Sequence, residues 1–115
     1  MSIGEIGVTG KARNIKNNLD LSLISPGEIL FVPKNILMEL PYSKEISGIV
    51  TDENVDECYK IYKQKNIKIS TICNLSSIDN QVTNGDLITL QLNEGVVYMG
   101  QIEDIEDAVD KYKYV

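Results

Sequence analysis

Histidine is absent from this 115-residue sequence, and cysteine occurs only twice, as Cys58 and Cys73. The usual zinc sites of proteins draw their ligands from clusters of histidine and cysteine, so a site of that kind is excluded. Two cysteines without CxxC spacing are also too few for a disulfide framework. We interpret both as reduced structural thiols that behave as small hydrophobic side chains, and we expect neither a metal nor a cofactor.

Positive charge is in short supply. The chain has 11 lysine and arginine residues against 17 aspartate and glutamate residues, a formal net charge of -6. Nucleic acids and anionic membrane surfaces need a positive field, so the charge argues against both, and less strongly against free phosphorylated ligands. Lys11 and Arg13 are the only closely spaced cations near the start of the chain. We interpret them as solvated residues at a strand edge rather than as an anion site.

Long apolar runs are absent as well. No stretch approaches the roughly 20 residues that a membrane-spanning helix needs, and the N-terminus has neither the basic flank nor the apolar core of a signal peptide. We expect a cytoplasmic location by default. A length of 115 residues with 43% apolar and 24% charged residues is typical of one folded domain with an ordinary core.

The most regular stretch lies in the middle of the chain and predicts a strand, a helix and a second strand. Gly48–Thr51 is a short β-branched apolar run, typical of a buried strand. From Asn54 the period changes to that of an amphipathic helix, with apolar residues at Val55, Cys58, Tyr59 and Tyr62. Asn54 is a suitable N-cap, Glu57 completes a capping box and Asn66 ends the helix. The alternating Ile67–Cys73 is the next strand, and the resulting βαβ unit predicts a parallel pair.

The flanking segments predict the rest of a mixed sheet. Ile29–Val32 is a continuous apolar run and therefore a core strand. Asn35–Leu40 has apolar spacing that suits one or two helical turns. Asp86–Leu92 and Val96–Met99 flank a tight turn and predict a late β-hairpin. We therefore predict an α/β fold with a mixed sheet, a central βαβ unit and a late hairpin.

An acidic segment ends the sequence. Its apolar residues recur at helical spacing, at Ile102, Ile105, Val109 and Tyr112, with carboxylates at most other positions. We predict an acidic amphipathic helix over residues 102–115, after a domain over residues 1–101. The helix either packs on its own domain or contacts a second copy or another protein, and the sequence leaves these alternatives open.

Several phrases of the sequence match one family. They are Gly48–Glu53, Pro26–Leu30 followed by Pro33, the later Gly85–Asp86 and Glu94–Gly100, and the opening Val8–Ala12. Their order and spacing resemble the mobile, swivelling phosphohistidine domain of the phosphoenolpyruvate-utilising enzymes, which is also appended to some bacterial pyruvate kinases. The resemblance implies a compact β/β/α fold that swings between an ATP-binding site and a phosphoenolpyruvate or acceptor site, carrying phosphate on a histidine.

The carrier histidine of that family is missing here. In the family it belongs to a threonine-serine-histidine phrase at the start of the helix, and a gapless alignment puts Glu57, Cys58 and Tyr59 at those positions. Tyr59 therefore stands where the carrier would be. Because the chain has no other histidine, phosphohistidine chemistry is excluded.

The residues around this position also differ from the family, in ways that disfavour the binding of phosphate. The resemblance implies an anion site made by glycines and by the free N–H groups of the first helical turn. Here Asn54 and Val55 replace the glycines and fill space that glycine leaves open for a ligand. Asp56 and Glu57 put two carboxylates into the same turn, which would oppose a phosphate by a few kcal/mol.

We therefore expect a stand-alone, degenerate domain that serves as a non-catalytic binding or regulatory module rather than as an enzyme. The alternative is a component of a phosphoenolpyruvate- or ATP-dependent phosphotransferase, acting with a separate catalytic subunit or through Cys58 or Tyr59 as a replacement nucleophile. Asp56 and Glu57 are expected to raise the pKa of Cys58 against the thiolate, and we interpret Cys58 and Tyr59 as core residues of the helix. We interpret Asp52–Glu53 as turn-forming and helix-capping residues rather than as an acid pair or metal site.

Overall fold

The computed structural model of the protein describes residues 2–3, 7–42, 44–75, 82–92, 95–99 and 113–114. Eight strands, one α-helix and two short 3-10 helices lie within these residues. In chain order they are β1 (Ser2–Ile3), β2 (Gly7–Asn14), a 3-10 helix (Asn18–Leu23), β3 (Glu28–Val32), a second 3-10 helix (Leu37–Glu39), β4 (Ile46–Thr51), α1 (Val55–Lys65), β5 (Thr71–Ile72), β6 (Leu87–Gln91), β7 (Val96–Met99) and β8 (Lys113–Tyr114).

The strands form one mixed sheet in the order β1-β5-β4-β3-β2-β6-β7-β8. Strand β3 pairs in parallel with β2 and β4, and β4 pairs in parallel with β5. The other four pairs, β1 with β5, β2 with β6, β6 with β7 and β7 with β8, are antiparallel. Because α1 connects the parallel strands β4 and β5, the predicted βαβ unit is confirmed. The late hairpin and the α/β class with a mixed sheet are confirmed as well.

Both faces of the parallel part of the sheet are covered. All five residues of β3 are buried, and successive side chains of a strand point to opposite faces. Leu30 and Val32 pack in a cluster with the inner face of α1, whereas Ile29 and Phe31 pack in a second cluster with residues of β6, such as Leu90. The sheet therefore curls until its antiparallel half covers the face opposite the helix.

Helix α1 is bounded by the predicted caps. The Asn54 side chain accepts a hydrogen bond from the Glu57 N–H at 2.9 Å, and Asn66 has a left-handed backbone with φ 56°. The capping box is different from the prediction, because it is Glu53 Oε1 that accepts the Asn54 N–H, at 2.9 Å. Glu57 instead forms an exposed ion pair with Lys60, with 3.2 Å between Oε1 and Nζ.

Strand β5 is shorter than the sequence predicts. The expected strand over Ile67–Cys73 is reduced to Thr71–Ile72. The Ile67 N–H donates to the Tyr62 carbonyl at 2.9 Å and so completes the end of α1 rather than joining a strand ladder. The chain needs the residues between this bond and β5 to return from the helix to the sheet.

The other helices are brief. Where Asn35–Leu40 was expected to form one or two helical turns, only Leu37–Glu39 is helical, as a 3-10 turn that ends before Pro41. Asn18–Leu23 is a 3-10 helix whose Asn17 and Asp20 form a reciprocal capping box. None of the helices in the described residues is long and apolar enough to cross a membrane.

Most of the predicted C-terminal helix over residues 102–115 lies outside the described residues. Its last part is described, and there the prediction is wrong. Lys113 and Tyr114 form β8, which pairs with Tyr98 and Val97 of β7. An extended pairing of this kind satisfies backbone groups at the outer edge of β7, which a helix at these two residues would leave open.

Candidate functional site

The start of α1 lies beside the carboxyl ends of parallel strands. Strands β3, β4 and β5 end on the same edge of the sheet, which is where open α/β sheets bind ligands. Asn74, just beyond β5, donates its backbone N–H to the Glu53 carbonyl at 2.8 Å, and the Leu75 N–H donates to the Thr51 carbonyl at 3.1 Å. These two bonds hold the connection between β4 and α1 against the end of β5.

Two carboxylates at this edge of the sheet accept hydrogen bonds from backbone N–H groups. Asp52 Oδ1 accepts the Lys34 N–H at 2.8 Å and so ties the end of β4 to the segment after β3. Glu53 accepts the N–H of Asn54, the helix N-cap, as described above. The turn-forming and capping interpretation of Asp52 and Glu53 is therefore confirmed. In the described part of the chain no group of three or more cysteine, aspartate or glutamate side chains is placed to hold a metal ion.

The first turn of α1 has little to offer an anion. The Glu57 N–H, one of the donors that an anion would use, is already bonded to the Asn54 side chain, and the Cys58 N–H donates to the Asn54 carbonyl at 3.1 Å. Asp56 is exposed and Glu57 is half-buried. Both carboxylates suit the positive end of the helix dipole, and they put negative charge into the turn that an anion would approach.

Cys58 is a core residue, as predicted, and its thiol is protonated at neutral pH. The side chain is buried, and its Sγ lies 3.5 Å from Sγ of the buried Cys73. The hydrogen bond with Cys73 and burial raise the pKa of Cys58 far above its ordinary range, and the carboxylates of Glu53 and Glu57 add to the rise. Asp56, which was expected to contribute, is not among the causes. A neutral buried thiol is a poor nucleophile.

The contact between the two cysteines was not predicted, although their positions in the βαβ unit indicate it. Cys58 falls on the apolar stripe of α1, and Cys73 follows the strand that α1 leads to. Within a βαβ unit the inner face of the helix packs on the strands that it connects. The two positions therefore had reason to meet in the core between helix and sheet.

Tyr59 is not a core residue, and that prediction is wrong. Its side chain is 54% exposed, one turn into α1. It lines a cavity of about 420 Å³ together with Tyr62, Lys63, Asn66, Ile67 and Lys68. All the other residues of this lining follow Tyr59 in the chain. The buried residues of the helix are Cys58, Ile61 and Tyr62.

Two other tyrosines pack below the helix. The Tyr62 hydroxyl lies 2.6 Å from Thr71 Oγ1, the Tyr42 hydroxyl donates to the Leu37 carbonyl at 2.6 Å, and the two rings meet edge to face with centroids 6.2 Å apart. Burial raises the pKa of both tyrosines above the ordinary range. Both hydroxyls therefore stay neutral and structural, and neither is a base for the residues of α1.

The cations near the start of the chain behave differently from one another. Lys11 is exposed, as predicted, but its strand β2 pairs with β3 on one side and β6 on the other and is not an edge strand. Arg13 is not a solvated edge residue, because its guanidinium forms a two-pronged ion pair with the buried carboxylate of Glu28, at 2.9 Å for the shortest N–O distance. Glu28 also accepts the Ser25 N–H at 2.7 Å. Arg13 is thus committed to holding the turn before β3 and is not available to bind an anion.

Comparison with known proteins adds a distant relationship. No protein-family model matches the chain. The sequence is 24% identical over 99 residues to a probable phosphoenolpyruvate synthase of Archaeoglobus fulgidus. The aligned region covers 86% of this chain and 13% of that protein. It is also 21% identical over 105 residues to pyruvate kinase 2 of Synechocystis sp.. That aligned region covers 91% of this chain and 18% of the relative. These similarities fit a relationship to phosphoenolpyruvate-utilising enzymes. The chain spans less than a fifth of the length of either relative.

Proposed function

We propose that the protein is a degenerate swivelling-type domain that has lost its phosphohistidine and serves as a non-catalytic binding or regulatory module. The observation that carries the proposal is the absence of histidine from the chain. The gapless alignment of the resemblance puts Tyr59 at the position of the family's carrier residue. A phenol does not offer the imidazole nitrogen that carries phosphate in the family. A domain can keep its fold after it has lost a catalytic residue, because fold alone does not determine function.

The surroundings of Tyr59 support the same proposal. The side chain that precedes it, Cys58, is buried with a strongly raised pKa. The first turn of the helix contains Asp56 and Glu57, and Asn54 already uses the Glu57 N–H. An incoming phosphate would therefore meet negative charge and an occupied donor where the family is expected to provide an anion site.

A phosphoryl-transfer assay tests the proposal. The purified protein is incubated with radiolabelled phosphoenolpyruvate or radiolabelled ATP, with and without an extract of the native cell as a source of partner enzymes. We expect no acid-labile phosphoprotein. The matched control is Tyr59→His, which puts an imidazole at the same exposed position of the same fold. Acid-labile label on the wild-type chain would contradict the proposal, whereas label on Tyr59→His alone would assign the loss to position 59.

A second candidate function is a component of a phosphoenolpyruvate- or ATP-dependent phosphotransferase, acting with a separate catalytic subunit or through Cys58. The names of the two relatives favour it, because one is a probable phosphoenolpyruvate synthase and the other a pyruvate kinase. The same assay separates the two functions. Acid-stable or thiol-sensitive label on the wild-type chain that disappears in Cys58→Ala would favour the second candidate.

The module also needs a partner. We propose that the apolar stripe predicted within residues 102–112 is the contact, to a second copy of the chain or to another protein. The basis is the sequence pattern, in which apolar residues recur at helical spacing among carboxylates.

A further inference from the structure

The two cysteines of the chain form an isolated pair inside the βαβ unit. Cys58 is 0% exposed and Cys73 is 3% exposed, and their sulfur atoms are 3.5 Å apart. One belongs to α1 and the other follows β5, 15 residues later in the chain. The function proposed above uses neither thiol.

The native backbone keeps the two sulfurs together. The Cys58 N–H is bonded to the Asn54 carbonyl, while the Asn74 N–H, next to Cys73, is bonded to the Glu53 carbonyl. Glu53 and Asn54 are adjacent, so both cysteines are held by the same short connection between β4 and α1. A disulfide bond is about 2.05 Å long, and the sulfurs would need to approach by about 1.5 Å. Rotation about the χ1 angles of the two side chains is the movement that can bring the sulfurs closer.

The two thiols are unequal. The hydrogen bond with Cys73 and burial raise the pKa of Cys58, and the carboxylates of Glu53 and Glu57 add to the rise. The hydrogen bond with Cys58 lowers the pKa of Cys73 although burial and Glu53 oppose it, so Cys73 loses its proton more readily than Cys58. One member of the pair is therefore suited to attack an oxidant, and the other to attack the oxidised sulfur.

We propose that Cys58 and Cys73 are a redox modification site, which a small peroxide oxidises to an intramolecular disulfide. The Cys73 thiolate attacks one oxygen of hydrogen peroxide and breaks the O–O bond, which leaves a sulfenic acid on Cys73 and a hydroxide that takes a proton to become water. The sulfur of Cys58 then attacks the Cys73 sulfur, and the sulfenic hydroxyl leaves with the Cys58 proton as a second water. Two electrons pass from the two sulfurs to the peroxide.

The burial of the pair selects the oxidant. Hydrogen peroxide is small and uncharged, whereas a bulky dissolved disulfide would have to enter a core from which both thiols are almost wholly excluded from solvent. Because burial slows access to both thiols, the final extent of oxidation is a better measure than its rate. The bond would fix the residue before Tyr59 to the end of β5 and close a loop of the chain.

The test uses the full chain with its wild-type sequence. The reduced protein is treated with a small excess of hydrogen peroxide, alkylated under denaturing conditions and measured by intact mass and peptide mapping. We expect a mass loss of about 2 Da, no alkylated thiol, a cross-linked peptide that joins Cys58 to Cys73, and full reversal by dithiothreitol. The oxidised protein should also show a higher urea midpoint than the reduced protein.

Cysteine-to-alanine variants assign the roles. Cys58→Ala should accumulate a sulfenic acid on Cys73 that dimedone traps, Cys73→Ala should be trapped far less, and the double variant should show no shift of urea midpoint on peroxide treatment. Two intact thiols, separate sulfinic acids or a disulfide between two chains in the wild-type protein would each overturn the proposal. These wild-type readouts stand even where a variant fails to fold, and they are independent of whether phosphate is carried.

Discussion

At the residue scale, the pair of Arg13 and Glu28 shows how burial changes the meaning of a charge. The Glu28 carboxylate is almost wholly buried and accepts hydrogen bonds from the Arg13 guanidinium and from the Ser25 N–H. A buried charge is tolerated only when it is paired and hydrogen-bonded. Removing its partner, or its own charge, leaves the other charge without compensation inside the protein.

We predict that Glu28→Gln lowers the free energy of unfolding by about 2 kcal/mol, because a neutral amide no longer compensates the guanidinium. Urea denaturation followed by circular dichroism measures the change. Glu45→Gln is the matched control, since Glu45 is exposed, and it should stay within about 0.5 kcal/mol of the wild type. Equal stability of the two variants would mean that the ion pair contributes nothing.

The candidate site was predictable at this scale only in part. Its composition, the missing histidine and the presence of carboxylates in the first turn follow from the sequence itself. The exposure of Tyr59 does not, because an aromatic residue at helical spacing next to Cys58 and Tyr62 fits the apolar stripe equally well. Which edge of a stripe is covered depends on how far the sheet extends beneath the helix, and that is a tertiary property.

At the element scale, α1 depends on its caps. A helix of 11 residues is too short to be stable alone in water, so its ends and its packing carry its stability. Asn54 bonds the Glu57 N–H through its side chain and receives the Glu53 carboxylate on its own N–H. The positions 53, 54 and 57 therefore act together at the start of the helix.

We predict that Asn54→Ala destabilises the protein by about 1 kcal/mol, because the Glu57 N–H loses its acceptor. Asn54→Ser keeps a side-chain acceptor at the same position and should retain most of the wild-type stability. The free energies of unfolding of the three proteins in urea give the comparison. A serine variant as unstable as the alanine variant would show that the side-chain bond is not the cause.

Elements with local signals were predictable and elements without them were not. The caps and stripe of α1, the turn of the hairpin and the apolar run of β3 each occupy a few consecutive residues, so the sequence alone predicts them. The shortness of β5 follows instead from the bond between the Ile67 N–H and the Tyr62 carbonyl, and from the residues that the chain needs to return from the helix to the sheet. The choice of Glu53 over Glu57 as the returning carboxylate is likewise a matter of side-chain geometry that spacing does not fix.

At the scale of the whole molecule, the curl of the sheet depends on two close approaches at glycine. A Cβ added to Gly10 of β2 would lie 2.7 Å from the Gly27 carbonyl oxygen, just before β3. A Cβ added to Gly48 of β4 would lie 2.9 Å from Leu90 Cδ1, in the antiparallel half of the sheet. Both contacts join residues far apart in sequence, which is why periodicity did not predict the curl.

We predict that Gly10→Ala lowers the free energy of unfolding by about 2 to 3 kcal/mol and that Gly48→Ala costs less. The obstacle at Gly10 is a backbone oxygen that cannot move without disturbing the turn before β3, whereas the nearest obstacle at Gly48 is a methyl group at the end of a flexible side chain. Thermal and urea unfolding of both variants measure the order. A larger loss for Gly48→Ala would place the tighter constraint between β4 and Leu90 of β6 rather than between β2 and the turn before β3.

The association of whole molecules is the last property to test. The predicted stripe of Ile102, Ile105, Val109 and Tyr112 is flanked by carboxylates. A charge placed on the stripe would therefore have to be buried in any contact that uses it. We predict a dimer in sedimentation velocity that Ile105→Asp dissociates and that the matched control Asp104→Asn, which removes a charge beside the stripe, leaves intact. A wild-type chain that sediments as a monomer at all concentrations would remove self-association and leave a different protein as the partner of this segment. Dissociation by both variants would instead mean that the contact does not depend on the apolar stripe alone.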